Sequence, residues 1–130
     1  MSFFNHPDQR AEFEAEVTRF TALVSGSLSR RLRVAVDMYR QLTAAGNTDV
    51  GGLLRRRLEI WRAVARDRML AAAGCAHLGQ WQTEALPQLG ARGTVHQWRS
   101  FLTLLQEIIS ALRQNTNPRL ALEVLVLALP

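Results

Sequence analysis

The chain has 130 residues, of which 48% are hydrophobic, so it can bury one continuous core as a single domain. All sixteen basic residues are arginines, and the absence of lysine excludes a phosphate-loop lysine, a Schiff-base nucleophile and a Ser-Lys dyad. The formal net charge is +5, so contact with nucleic acid has to be considered.

Neither a membrane span nor an export signal is expected. The longest apolar stretch, residues 120–129, contains Glu123 and is about half the roughly 20 residues that a spanning helix needs. The first ten residues are mostly polar and carry Asp8 before any long apolar run, unlike a secretory signal. The single cysteine, Cys75, cannot form an internal disulfide, which is compatible with a reducing compartment. We therefore expect a cytoplasmic protein.

The first part of the chain predicts two helices. Pro7 and Asp8 are typical of a helix start, and Gly26 is typical of its end. Apolar residues at helical spacing share one face of this helix: Phe13, Val17, Phe20 and Val24. A second helix is predicted from Ser27, with a buried stripe of apolar residues: Leu28, Leu32, Ala35, Tyr39 and Leu42.

A third helix is predicted from about residue 49 or 53 to Ala73, with Gly74 as its stop. Its apolar side comprises five residues: Leu54, Leu58, Trp61, Ala65 and Ala72. Between Cys75 and Gly93 the periodicity weakens, and glycine and proline interrupt it. A connection with at most one short helical piece is predicted there, and it contains Trp81.

Two further helices are predicted in the last third of the chain. Thr94 and Gln97 match a capping box that opens a helix to Gln114. Its apolar face comprises Trp98, Phe101, Leu102, Leu105, Ile109 and Leu112. Asn117 and Pro118 are typical of an N-cap and a first helical position. Because no strand alternation occurs, the predicted fold is all-α, a bundle of about five helices forming one domain over residues 1–130.

The last helix, Pro118 to Leu129, is apolar nearly all round. Its apolar residues point in every direction: Leu120, Leu122, Val124, Leu125, Val126, Leu127 and Leu129. Either the bundle surrounds this helix, or another protein chain covers one side of it. The pattern leaves both arrangements open.

The candidate catalytic patterns have simpler structural interpretations. The histidines are scattered, and Cys75 with His77 supplies two of the four ligands of a structural zinc site. The acidic pair Glu12 and Glu16 lies one turn apart on a face expected to be solvated. Trp61 and Trp98 are expected in the core. We expect no catalytic site, metal, cofactor or small-molecule substrate.

Two segments resemble a known family. Residues 61–70, Trp-Arg-Ala-Val-Ala-Arg-Asp-Arg-Met-Leu, precede Gly74, and residues 115–125 read Asn-Thr-Asn-Pro-Arg-Leu-Ala-Leu-Glu-Val-Leu. They resemble the C-terminal collar domain of the delta-prime subunit of bacterial DNA polymerase III clamp loaders. The second segment is also similar to the gamma/tau collar domain. The matching motif positions are Trp61, Arg66, Asp67, Asn117, Pro118, Arg119 and Glu123.

The resemblance implies a helical bundle that joins its counterparts in gamma/tau and delta to form a pentameric collar. DNA would be contacted only through the assembled complex, and ATP would bind to AAA+ modules whose motifs this chain lacks. The chain would then be a C-terminal fragment of a longer subunit. The expected partner interface comprises Trp98, Phe101, Leu122, Leu125 and Leu129.

Two other functions remain open from the residues alone. One is a nucleic-acid-binding module that contacts phosphates through an arginine cluster: Arg30, Arg31, Arg33, Arg55, Arg56 and Arg57. Its signature would be a salt-dependent affinity. The other is an unrelated all-helical regulator with the same fold class.

Overall fold

Five α-helices and no strand make up the described part of the computed structural model, which covers residues 7–44, 46, 48–75 and 93–130. This confirms the predicted all-α bundle. The predicted connection at residues 76–92, with Trp81 and His77, lies outside the described residues. The helices are α1 (Pro7–Ser25), α2 (Leu28–Ala44), α3 (Val50–Ala72), α4 (Val95–Leu112) and α5 (Pro118–Ala128).

The predicted starts of α4 and α5 are confirmed by their capping hydrogen bonds. The Thr94 hydroxyl accepts from the Gln97 amide at 3.1 Å, and the Gln97 side chain accepts from the Thr94 amide at 2.9 Å. Asn117 Oδ1 accepts from the Arg119 amide at 2.9 Å, and Pro118 is the first residue of α5. Local residues therefore determine where both helices begin.

Neighbouring residues also determine where α3 begins and ends. Asp49 is its N-cap and accepts from the Gly52 amide at 3.0 Å, so the helix begins at the earlier of the two predicted positions. At the other end Gly74 has a φ of 78°, a left-handed conformation that glycine adopts without steric penalty. The Cys75 amide then donates to the Leu70 carbonyl at 2.7 Å, which completes a Schellman motif.

The core lies around α3, which contacts each of the other four helices, while α2 packs along α5. Its centre is a cluster of aromatic rings contributed by α1, α3 and α4. The ring centroid of Phe20 lies 5.3 Å from that of Trp61, 6.2 Å from that of Trp98 and 6.1 Å from that of Phe101. Tilted rings at these separations stabilise a core beyond the area they bury. The expected core positions of both tryptophans are confirmed.

The predicted stripe on α2 is partly wrong. Ala35 and Leu42 are buried and Leu32 is half-buried, but Leu28 is 56% exposed. Leu28 is the first residue of α2, and Arg31 occupies the buried position one turn later. A polar side chain that was not part of the predicted stripe is therefore buried at this end of α2.

Arg31 binds the ends of two other helices. Its Nε donates to the Leu23 carbonyl at 2.9 Å and its Nη2 to the Val24 carbonyl at 2.9 Å, near the end of α1. Its Nη1 donates to the Leu129 carbonyl at 3.1 Å, just after α5. The guanidinium group thus donates charge-assisted hydrogen bonds to carbonyls near helix ends, and its charge complements the negative helix ends. The Leu23 carbonyl also accepts from the Gly26 amide at 3.1 Å.

Replacing Arg31 with Met is expected to lower the free energy of unfolding by about 3 kcal/mol, because buried carbonyls lose charge-assisted hydrogen bonds. Arg30→Met is the matched control, since Arg30 is exposed and its loss should change stability by no more than about 0.5 kcal/mol. Urea unfolding followed by circular dichroism measures both. Equal effects of the two substitutions would contradict the role assigned to Arg31.

Candidate association surface

The partner interface expected from the sequence requires a correction. Its five side chains are all buried within the chain itself: Trp98, Phe101, Leu122, Leu125 and Leu129. The cause is the packing of α5, whose inner face is covered by α2, α3 and α4. These side chains therefore stabilise the domain and form no exposed surface.

The outer face of α5 carries a different set of apolar side chains. Leu120 is 57% exposed, Val124 is 46% exposed and Leu127 is 52% exposed. Their spacing of four and then three residues places them in one line along the helix. We call these three residues the α5 stripe. The two arrangements left open by the sequence are thus partly resolved, since the bundle covers only the opposite side of α5.

The neighbouring charges on α5 are paired with each other. Arg119 Nε lies 3.3 Å from Glu123 Oε1, one helical turn away, so neither residue presents an isolated charge beside the α5 stripe. The cap at Asn117 fixes the start of the helix, and Arg31 binds its far end through the Leu129 carbonyl. The α5 stripe is therefore an uncharged apolar ridge held at both ends.

The motif positions near α5 have structural roles in the helix. Asn117 caps it, Pro118 starts it, and Arg119 pairs with Glu123. Trp61 is buried in the core.

The motif residues Arg66 and Asp67 lie close to each other on α3. Arg66 Nη1 lies 3.8 Å from Asp67 Oδ1. This distance is too long for a hydrogen bond and permits only an ion pair. Asp67 is buried, whereas Arg66 is exposed. Next to them, burial lowers the pKa of the Arg68 guanidinium from its ordinary value.

Glu16 is not solvated as predicted, because its side chain is only 2% exposed. Its Oε1 accepts from the indole Nε1 of Trp61 at 2.8 Å. Its Oε2 accepts from Arg57 Nε and from Arg19 Nη1, each at 2.9 Å. Three donors, two of them cationic, compensate the loss of water around the carboxylate. This buried group joins α1 to α3, and we assign it a structural role.

The six arginines that one alternative function assigns to phosphate contact differ in their surroundings. Arg31 is buried on backbone carbonyls. Arg56 makes a bidentate pair with Glu12 at 2.9 Å and 2.9 Å, and Arg57 binds Glu16. Three of the six arginines of this alternative therefore already have partners within the chain. Arg30 and Arg33 are exposed and Arg55 is half-buried.

A shallow groove of about 350 Å³ runs along the outer face of α4. It is lined by His96, Arg99, Ser100, Thr103, Leu104 and Glu107. Among the described residues no group of three or more His, Cys, Asp and Glu side chains could hold a metal ion. None of the described helices is long and apolar enough to cross a membrane.

Comparison of the chain with known protein families finds no match, and neither do comparisons with curated proteins and with solved structures. The exposed chemistry of the chain itself is therefore the basis for a functional proposal.

Proposed function

We propose that this chain is an assembly domain that binds a partner protein through the α5 stripe. The observation that carries the proposal is the exposure of Leu120, Val124 and Leu127 in one line on a helix whose opposite face is buried. Contiguous exposed apolar side chains mark interaction sites more often than scattered ones do. An apolar line at helical spacing is the form in which one helix packs against another.

The free energy gained by covering the α5 stripe with a partner would be large enough to contribute to a specific contact. Complete burial of a leucine or valine side chain contributes about 1.5–3 kcal/mol, and these three side chains are roughly half exposed. Covering them would contribute roughly 3 kcal/mol, which corresponds to about a hundredfold in the dissociation constant. A wider contact would have to supply the rest of the affinity.

More specifically, we propose that this chain is the collar domain of a clamp-loader delta-prime subunit. The gamma/tau collar domain is the close alternative. The support is the resemblance of residues 115–125, because this segment contains two of the three residues of the α5 stripe, Leu120 and Val124. The partners would be the gamma/tau and delta subunits, and the assembled loader would place a sliding clamp on primed DNA in the cytoplasm. The domain would contribute no catalytic group and would hold the order of the ring.

The test is the mass of the domain, by size-exclusion chromatography with light scattering, alone and mixed with gamma/tau and delta collar domains from the same organism. A defined hetero-oligomer is the expected result. A chain that stays unassociated in every mixture would reject the clamp-loader proposal.

Val124→Asp is expected to weaken this association at least about a hundredfold, because an unpaired carboxylate would be desolvated at the contact. Leu53→Asp is the matched control, since Leu53 is an apolar residue that is 38% exposed on a different helix, α3. Both variants should keep the helical circular dichroism of the parent chain. If the control weakens association as much as Val124→Asp does, the α5 stripe is not the contact surface.

A further inference from the structure

The outer face of α2 carries a line of exposed arginines. Arg30, Arg33 and Arg40 are exposed, and their spacing places them on one side of the helix. The opposite side contains the buried residues Ala35 and Met38. We call these three arginines the α2 arginine row.

No ion pair among the described residues neutralises the charge of the row. In the described part of the chain seven ion pairs involve other arginines: Arg10, Arg19, Arg56, Arg57, Arg62, Arg66 and Arg119. None of these pairs includes a guanidinium group of the α2 arginine row. Asp37 is the single acidic residue of α2 and lies on the same exposed face. Three cations and one anion leave this face positively charged.

The neighbouring acidic helix does not compensate this charge. Glu12 and Glu16 of α1 are directed to α3, where they pair with Arg56 and Arg57. Glu12 and Glu16 therefore neutralise arginines of α3, and Asp49, which follows α2, caps the start of α3. The positive end of the α2 dipole, near Arg30, adds to the field of the row.

We propose that the α2 arginine row binds the phosphate backbone of a nucleic acid. Arg30 and Arg40 are ten residues apart, a separation of about 15 Å along a helix at 1.5 Å per residue. One nucleic-acid strand carries about four phosphates over that length, at 3.4 Å each. The planar guanidinium group matches the phosphate oxygens with two parallel hydrogen bonds. Ser29 and Gln41, both exposed beside the row, supply uncharged donors of the kind that also contact phosphates.

The test is the salt dependence of binding to a fluorescent duplex DNA and to one of its strands, measured by fluorescence anisotropy. Three phosphate contacts should lower the affinity for the duplex about fortyfold between about 50 and 200 mM salt, since the logarithmic slope is near −0.9 per phosphate. Replacing all three row arginines with Gln should remove most of this dependence, and Arg33→Gln alone should reduce the slope by about 1.

The matched control removes the same net charge elsewhere. Arg10, Arg99 and Arg113 are exposed on α1, at the start of α4 and just after α4, and their replacement with Gln should leave most of the affinity. Equal losses in both triple variants would overturn the proposal, because net charge alone would then explain binding. Competition by poly-glutamate as strong as competition by DNA would also overturn it and would indicate an acidic protein partner. Since the α5 stripe is unchanged in these variants, assembly with partner subunits reports separately on the proposed function.

Discussion

Glu16→Ala is expected to lower the free energy of unfolding by about 3–5 kcal/mol, the usual effect of removing one partner from a buried ion pair. The substitution leaves the indole N–H of Trp61 without its acceptor in the centre of the core. It also leaves the Arg57 guanidinium without its counter-ion, although that side chain is only 13% exposed. Arg57 Nη2 already lacks a hydrogen-bond partner among the described residues, so the loss of Glu16 would leave a second nitrogen of this guanidinium group, Nε, without its acceptor.

Urea unfolding followed by circular dichroism and by tryptophan fluorescence measures this effect. Glu12→Ala is the matched control one turn away, because its pair with Arg56 is exposed and should contribute no more than about 1 kcal/mol. Glu16→Gln should lie between the two, since an amide oxygen still accepts from Trp61 while the charge opposite Arg57 is lost. Similar stabilities of the Ala variants at positions 12 and 16 would show that Glu16 is not a structural anchor.

The helix boundaries could be predicted because they depend on neighbouring residues. The capping box of Thr94 and Gln97 and the Asn117 cap satisfy amides within the same turn. Gly74 ends α3 for an equally local reason, its positive φ. No knowledge of the rest of the chain is needed to recognise these signals.

Two buried polar side chains were missed because each has partners on other helices, some of them distant in the sequence. Glu16 lies three residues after Phe13 and four before Phe20, so its helical position is on the buried face, but its polarity favoured solvation. Arg31 precedes the buried Ala35 by four residues in the same way. The spacing was the available signal, while the donors and acceptors that make such burial favourable come from other helices.

The inner face of α5 could not be predicted from the sequence for a different reason. A helix that is apolar on every side gives no period from which to choose its inner face. Leu122 and Leu125 are buried and Val124 is exposed, because α2, α3 and α4 pack against one side of α5. The sequence indicated that either the bundle or another protein chain covers each apolar face of α5. Only the arrangement of the bundle identifies the face that it leaves exposed.

Leu125→Asp is therefore expected to unfold the domain, whereas Val124→Asp is expected to leave it folded and unable to associate. Leu125 is fully buried, and a carboxylate placed there has no polar partner to compensate its desolvation. A loss above about 5 kcal/mol would equal or exceed the whole stability of a marginal domain. Far-ultraviolet circular dichroism should show loss of helix for the first variant and none for the second.

The two positions are adjacent in the sequence and receive the same charge, so net charge cannot account for different outcomes. The helix propensities of Val and Leu differ by less than about 1 kcal/mol, so the main difference is the side of α5 that each residue occupies. If both variants stay folded and both fail to associate, partners contact both faces of α5. That result would contradict the packing of Leu125 in the core. A folded Val124→Asp that still assembles would instead leave the core intact and move the association surface away from α5.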